Sequence, residues 1–378
     1  MTHKKKILLF IDWYLPGYKA GGPIQSCSNL IAHLGAEYDF SVVTRDTDYC
    51  EIVPYPNIKS NEWNIVDGTR VYYFSADALN KTNIQHLLNT ENYDTVYMNG
   101  IFSFYFSLLP LYLLIGTSKK CIVAARGMLA VNALHIKGIK KQLFLLVSKF
   151  TGLFSKVMFH ATNESEKLDI LKNFKNATVI VAANLPQKNV LESKPIKEKL
   201  VGSVKLVNIA RVAPEKNLKY ALEVLTQVRG KVEFDIYGPV YNPDYWDECK
   251  AIIESLPKNI IVNYKGSVES TAVISTLSKY HFMIMSTLGE NFGHIILQAL
   301  STGCPIIISD NTMWRNLYEQ NCGWDISLKN REMYVEVIEK VVAMSDLEYE
   351  KMSDAALDYA KKFRSNDNLV VQNRILFK

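Results

Sequence analysis

Short apolar runs alternate with segments of helical period twice along this chain, and that alternation leaves it few ways to fold. The first series is "KKILLFIDWYL", "DFSVVTR", "VYYFSA", "DTVYMNG" and "KCIVAARG", with helical spacing between several of them, as in "IQSCSNLIAHLG". The second is "VKLVNIAR", "VEFDIYGP", "NIIVNYKG", "HFMIMST" and "CPIIISD", joined by "NLKYALEVLTQV", the stretch around "YWDECKAIIESL", "AVISTLSKY" and "GHIILQAL". Strands apolar on both faces and separated by helices require a mostly parallel sheet covered on both sides. The fold class is therefore α/β, built as two Rossmann-like doubly wound domains that we expect to face each other across a cleft. Ligands of such sheets bind beyond the C-terminal ends of the strands, where "PGYKAGGP", "NGIFS" and "RGML" fall.

At roughly 150 residues per domain, the 378 residues allow two domains. The polar, aromatic-poor segment "QKNVLESKPIKEKLVGS" separates them. We expect an N-terminal domain at 1–186, a linker at 187–203, a C-terminal domain at 204–355, and a helical segment at 356–378 that returns to brace the first domain. The apolar stretch from Ile101 to Gly116 contains Pro110 and falls short of the ~20 residues of a membrane span, so it reads as a buried helix. The N-terminal run "KKILLFIDW" is broken by Asp12 and lacks a small-residue cleavage site, so it reads as a first buried strand rather than a leader.

Several function classes lose support. The net charge of +5 is not gathered into an arm or stripe, so nucleic acid is not an expected partner. Cys27, Cys50, Cys121, Cys249, Cys304 and Cys322 form no close pair, which argues for a reduced, cytoplasmic chain without a structural zinc. The seven histidines make no paired ligand set, and Asp46 and Asp48 in "TRDTDYC" read as a polar strand-end turn, so no metal is expected. The nucleophile elbow, the phosphate loop and the dinucleotide fingerprint are all missing.

The unusual residues sit at strand-to-helix junctions of the second series. In "TLGENFGHIILQALSTG" a buried strand enters a loop carrying Glu290, and a helix then begins near Gly293. The first turn of a helix has free N–H groups and a partial positive charge, which favours a phosphate, and Gly293 would let it approach. Glu290 and Gln298 are placed to flank one ligand; the alternatives are a capping acid and an ordinary helix residue. His294 is equally readable as a ligand contact or as a satisfied histidine at a helix start. In "NIARVAPEKNLKY", Arg211 and Lys216 can reach one diphosphate, the first as a fork and the second as a point charge, or can stand as two solvated loop cations.

Taken together, the spacing from Glu290 to residue 298, the pair Arg211 and Lys216, and the "GGP" at Gly21, Gly22 and Pro23 resemble the retaining nucleotide-sugar glycosyltransferases of family 4, over nearly the whole chain and with the GT-B architecture. The resemblance implies a UDP- or GDP-sugar donor as substrate, held mainly by the C-terminal domain, and no tightly bound cofactor. Glu290 would bind donor hydroxyls, and amides near Asn291, Phe292, Gly293 and His294 would meet its phosphate or sugar edge. Arg211 and Lys216 would neutralise the leaving diphosphate without metal. Gln298 departs from the family pattern, since a glutamate normally accepts the ribose hydroxyls there; the lost charge assistance is worth ~1 kcal/mol. Gly238 in "YGPV" and Gly266 in "YKGS" would lie near the base.

On the acceptor side, Asn99 and Ser103 are rim candidates, and Arg126 stands where the family often has a histidine. Arg126 reads either as a contact to an anionic group or as a packing arginine. The implied acceptor is a glycan or lipid-linked glycan in bacterial surface-polysaccharide or lipopolysaccharide synthesis; a small soluble acceptor or a non-catalytic nucleotide-sugar binder are the alternatives. From Lys137 to His160 five lysines stand among Leu, Phe and Val without an acid, a pattern for resting on anionic lipid or for a core-facing helix with solvated lysines.

Overall fold

The computed structural model describes residues 4–130, 138–188 and 198–378. The chain divides into two compact units, Met1–Lys188 with Asp367–Lys378, and Asn189–Asn366. The polar segment expected to link the domains lies largely outside the described residues.

The first unit is built on an eight-stranded sheet: β1 (Lys6–Phe10), β2 (Asp39–Arg45), β3 (Trp63–Val66), β4 (Thr69–Phe74), β5 (Thr95–Asn99), β6 (Lys120–Ala124), β7 (Met158–Ala161) and β8 (Thr178–Val181). Their order is β3-β4-β2-β1-β5-β6-β7-β8. All neighbours are parallel except β3 and β4, an antiparallel edge hairpin. Its turn is Asp67-Gly68, with φ of 47° and 74°, the two left-handed positions that a tight two-residue hairpin needs. Alternation along β3 is weak because this edge faces water: Ile65 is exposed.

The crossover helices of this unit are α1 (Gly22–Leu34), α2 (Lys81–Thr90), the short α3 (Leu109–Leu113), α4 (Gly138–Phe150) and α5 (Glu164–Asn173). Asn80 and Asn163 cap α2 and α5 by accepting from Asn83 and Glu166 amides. Between sheet and helices lie Leu8, Phe10, Val43, Val96, Met98, Val123 and Phe159. The segment 101–116 differs from the expected buried helix. It makes a π-helical turn at Phe104–Leu108 and then α3, and leaves Phe104, Tyr112 and Ile115 exposed. Pro110, which has no N–H for the ladder, follows the widened turn directly. A helix lying on a sheet buries only one side, so residues apolar all round must leave some at the surface.

The second unit has an all-parallel sheet of β9 (Ser203–Ile209), β10 (Lys231–Tyr237), β11 (Ile260–Tyr264), β12 (Phe282–Met285), β13 (Ile306–Ser309) and β14 (Gly323–Ile326). The order is β11-β10-β9-β12-β13-β14. Helices α6 (Leu218–Leu225), α7 (Pro243–Ser255), α8 (Val273–Leu277), α9 (His294–Ser301), α10 (Arg331–Ala343) and α11 (Asp346–Arg364) cover it. Lys199 is buried and gives its ammonium to the Leu200, Val342 and Met344 carbonyls, closing the C-terminal end of α10.

The expected boundary at 355/356 falls inside α11, which is one continuous helix capped by the reciprocal Ser345–Glu348 box and packed on α9 through Ala356 and Ala360. The segment that belongs to the first unit begins later, with α12 (Asp367–Ile375). There Asn373 donates to the Ala183 carbonyl at 2.8 Å, Arg374 pairs with Glu37, and Phe377 packs on Tyr38, Phe40 and Tyr97.

Each sheet has one topological switch point. In the first unit the chain leaves β1 to build β2, β4 and β3 on one side and β5 to β8 on the other; in the second, β9 divides β10 and β11 from β12 to β14. Carboxyl ends on either side of such a point open a crevice.

Candidate functional site

In the second unit the loops after β9 and β12 meet across the switch point. After β9 the chain passes Arg211, makes a single 3-10 turn at Pro214–Lys216, and enters α6 through Asn217 in a left-handed conformation. The loop after β12 is zipped to it: Leu288 donates to the Glu215 carbonyl at 3.0 Å, Thr287 Oγ1 donates to the same carbonyl at 3.1 Å, and Ser286 Oγ donates to the Asn217 carbonyl at 2.7 Å. These bonds bring two residues far apart in sequence together. Lys216 Nζ donates to Glu290 Oε2 at 2.6 Å, with side chains 17% and 20% exposed. A charge-assisted bond at that depth holds both groups in place more firmly than a surface pair would.

The rest of the loop is fixed by groups that no sequence motif marked. The Glu290 amide donates to the Asn311 carbonyl at 3.0 Å, and the Trp314 indole N–H donates to the Phe292 carbonyl at 2.5 Å. Phe292 is buried against Trp314, Phe363 and His294, so its side chain belongs to the core and only its backbone faces the loop. Gly293 takes φ 76° at the N-cap of α9, and a Cβ there would stand 2.7 Å from Ile296 Cδ1 and 3.1 Å from Glu290 Cγ. No side chain caps this helix, and within its first turn the Ile296 amide donates to the Gly293 carbonyl at 2.9 Å; the partial positive charge of the helix start still favours an anion there. His294 is buried, and the Asn291 side chain is half-buried. Gln298 is also half-buried, on the second turn of α9.

Arg211 lies on the other side of the same loop, 3.7 Å from Glu215 and with its guanidinium 5.6 Å from the Tyr241 ring centre. Gly238 ends β10 with φ 141°, and a Cβ would meet the Ala210 carbonyl oxygen at 1.9 Å, so only glycine lets the β9 and β10 exits close on each other. Its amide donates to the Gly266 carbonyl at 2.8 Å, and Tyr264 OH donates to the Gly238 carbonyl. Arg211, Lys216, Gly238, Gly266, Glu290 and the α9 N-terminus therefore occupy the C-terminal ends of neighbouring strands. The chemistry on offer is two cations and a helix start without a side-chain cap for an anion, with a carboxylate for hydroxyls.

In the first unit Gly21, φ 72°, precedes α1, and Gly22 and Pro23 open its first turn. Arg126 has φ 53° and gives Nε to Asn99 Oδ1 at 2.6 Å, one terminal nitrogen to Asn184 Oδ1, and the other to Tyr97 OH at 2.9 Å. Asn99 thus spends its carboxamide oxygen on Arg126. Ser103 Oγ caps the π-helical turn and donates to Asp12 Oδ1 at 2.8 Å. Asp46 accepts from Ser60, and Asp48 accepts from the Tyr18, Lys19 and Tyr49 amides, the polar turn that the sequence suggested. Among the described residues no group of three or more His, Cys, Asp or Glu is arranged to hold a metal ion.

Comparison with known proteins gives these features a context. Residues 190–362 match the family model described as "Glycosyl transferases group 1". Among curated proteins, the chain is 26% identical over 115 residues to human alpha-1,3/1,6-mannosyltransferase ALG2, covering 27% of this chain and 28% of that protein. It is 28% identical over 154 residues to the Caenorhabditis elegans GDP-Man:Man(3)GlcNAc(2)-PP-Dol alpha-1,2-mannosyltransferase, covering 37% and 33%. The matches thus span about a third of the length of either relative. The fold is similar to that of the sucrose-phosphate synthase of Thermosynechococcus elongatus, with TM-score 0.70, 13% identity, and 99% and 98% of the two chains covered. It is similar also to Anabaena Alr3699/HepE, solved with UDP and glucose, with TM-score 0.70, 12% identity, and 98% of each chain covered. WaaG, a glycosyltransferase involved in lipopolysaccharide biosynthesis, gives 0.68 at 12% identity, again with 98% of each chain covered. The mostly parallel sheet of the first unit and the all-parallel sheet of the second match the GT-B fold.

Proposed function

We propose that this chain is a retaining glycosyltransferase of family 4 that moves a sugar from a UDP- or GDP-sugar to a hydroxyl of a glycan or lipid-linked glycan, in the synthesis of a bacterial surface polysaccharide. The observation that carries the reading is the Lys216–Glu290 pair, set across a switch point beside Arg211 and the uncapped start of α9. In this reading the donor exchanges that internal ion pair for two ligand contacts. Lys216 turns to the diphosphate with Arg211, and Glu290 takes hydroxyls of the sugar. Amides from Asn291 to His294 meet the phosphate or sugar edge, Gly238 and Gly266 leave room for the base, and Gln298 accepts from ribose without charge assistance.

The sugar C1–O bond to the diphosphate breaks and the acceptor oxygen bonds C1 on the same face. The acceptor proton passes to the leaving diphosphate. No protein nucleophile is required; the residues supply positioning and stabilisation of developing negative charge. Gly21, Gly22, Asn99, Ser103 and Arg126 belong to the acceptor side. No metal enters this scheme, because Arg211 and Lys216 supply the positive charge.

The test is a thermal-shift panel of UDP, GDP, ADP and their sugars, followed by turnover with the best ligand. Activity that collapses in Glu290→Ala supports an enzyme; no shift with any nucleotide sinks the donor site, and turnover indifferent to Glu290 sinks its role.

A cytoplasmic site of action at an anionic membrane surface is part of the same proposal. On α4, Leu143, Leu146 and Val147 are exposed on one face, and Lys149 and Lys156 are exposed nearby. Lys141 sits over the Phe102 ring, whereas Lys137 and the Lys140 side chain lie outside the described residues. Among the described residues no helix is long and apolar enough to cross a membrane. Binding to phosphatidylglycerol vesicles at low salt supports the surface, and no co-sedimentation refutes it.

A further inference from the structure

The switch point of the first unit carries charged and aromatic groups that the donor chemistry leaves unused. Asp12 and Trp13 directly follow β1, Arg45 ends β2, and Ser103 follows β5. The Asp12 backbone is clamped, because its carbonyl accepts from the Arg45 amide at 3.3 Å and from Thr44 Oγ1 at 3.2 Å. Its carboxylate takes Ser103 Oγ on Oδ1 across the switch point, which orients the group and leaves Oδ2 without a side-chain donor among the described residues.

Arg45 is held differently. Its guanidinium carbon lies 5.2 Å from the Phe106 ring centre and 6.0 Å from that of Trp13, and one terminal nitrogen is 3.8 Å from Asp12 Oδ1, beyond hydrogen-bond reach. Its Nε is buried without a partner, and its terminal nitrogens make no side-chain hydrogen bond among the described residues, although the side chain is 30% exposed. An arginine so placed by aromatic faces keeps its terminal nitrogens, rather than the buried Nε, for a ligand. Trp13, half-buried and set edge-to-face with Tyr49 at 4.7 Å, adds apolar ring surface next to it.

A carboxylate acceptor, a guanidinium whose terminal nitrogens make no side-chain hydrogen bond among the described residues, and an indole at one crevice match a sugar ring. Vicinal hydroxyls can donate to Asp12 and accept from Arg45, while the C–H face of the ring lies against the aromatic surface. The two charges cancel, which disfavours a phosphate or a carboxylate and favours a neutral glycan. We propose that Asp12, Trp13 and Arg45 form a pyranose-binding subsite, positioned by Ser103, that receives the acceptor sugar. The proposal rests on the transferase reading above and deepens it by naming the acceptor subsite and its chemical class. Burial raises the Asp12 carboxyl from its ordinary value, opposed by the Ser103 hydrogen bond, by Arg45 and by its own backbone amide, as expected of an acid enclosed in such a crevice.

The experiment is saturation-transfer NMR on the full chain with the methyl α-pyranosides of mannose, glucose, galactose and N-acetylglucosamine. Transfer from at least one is expected, weakened about tenfold or more in Arg45→Met and in the isosteric Asp12→Asn, as loss of a hydrogen bond to a charged group implies. Asp12→Asn keeps an oxygen for Ser103, so it reports on the ligand rather than on folding. The thermal shift with UDP and GDP, read at the second unit, should be unchanged in both variants. Transfer from none of the glycosides, or transfer indifferent to both substitutions, overturns the subsite. A nucleotide shift without glycoside binding refutes the subsite alone, whereas glycoside binding without any nucleotide shift refutes the transferase reading and supports the sugar site.

Discussion

Lowering the pH should destabilise the first unit through one residue. His160 on β7 is 1% exposed. Its Nε2 lies 2.7 Å from the Ala182 carbonyl and therefore carries the proton, which leaves Nδ1 to accept from Tyr97 OH at 2.8 Å. The neutral ring is fully satisfied, and a second proton on Nδ1 would turn away the Tyr97 O–H and place a buried charge near Arg126. Burial, reinforced by the nearby Arg126 charge, pushes the imidazole down to about 3. In the unfolded chain it titrates near 6.5, so between these values the unfolded state binds a proton that the native state does not, and stability rises with pH. The contribution is fully present above about 6.5 and is lost as the pH falls towards about 3, amounting to a loss of about 2 kcal/mol by pH 5. His33, also lowered by burial, acts with the same sign, so the measurement must be a difference. Urea unfolding of the wild type and of His160→Gln at about pH 7.5 and about pH 5 isolates the term: the wild type should lose about 2 kcal/mol more than the variant over that interval. Equal losses in the two proteins would show that His160 is not held neutral and would refute the reasoning.

Three further outcomes follow from the donor-side geometry. Gln298→Glu restores a charged acceptor on α9 and should tighten UDP or GDP by about fivefold, ~1 kcal/mol, in calorimetric titration; weaker binding would remove residue 298 from the ribose contact. Gly238→Ala places a methyl 1.9 Å from the Ala210 oxygen, so the β9 and β10 exits must separate; a lower melting temperature together with a lost nucleotide shift is expected, and an unchanged shift would place the base elsewhere. Trp314→Phe puts a smaller phenyl in place of the buried indole and removes the N–H that holds the Phe292 carbonyl. The lost hydrogen bond and the cavity together should cost about 2–3 kcal/mol of stability and raise KM for the donor more than they lower kcat, whereas a loss confined to kcat would contradict a positioning role.

The two α/β series, their parallel strands and most of their helices were legible because a strand buried on both faces must be apolar along its whole length. What escaped was local or exposed. The β3–β4 hairpin has a partly solvated edge strand, although its Asp-Gly turn was there to be read. The helix over 101–116 surfaces where burial was expected, because composition does not say which side of a helix a sheet covers. The segment returning to the first unit starts at Asp367 rather than 356, since the apolar spacing of α11 continues through the expected boundary without a glycine or proline to stop it.

For the candidate sites the division is sharper. Sequence alone placed Arg211, Lys216, Glu290 and Gly293 at strand-to-helix junctions, where periodicity changes from strand to helix and the charges must lie in loops. It could not say that Lys216 would meet Glu290 rather than stand apart, because that pairing depends on β9 and β12 becoming neighbours. Nor could it join Asp12, Arg45 and Ser103, which come from three strands. Periodicity is set residue by residue along the chain, whereas the order of strands in a sheet is decided by how the whole apolar surface is best buried, and a crevice at a switch point exists only once that order is chosen.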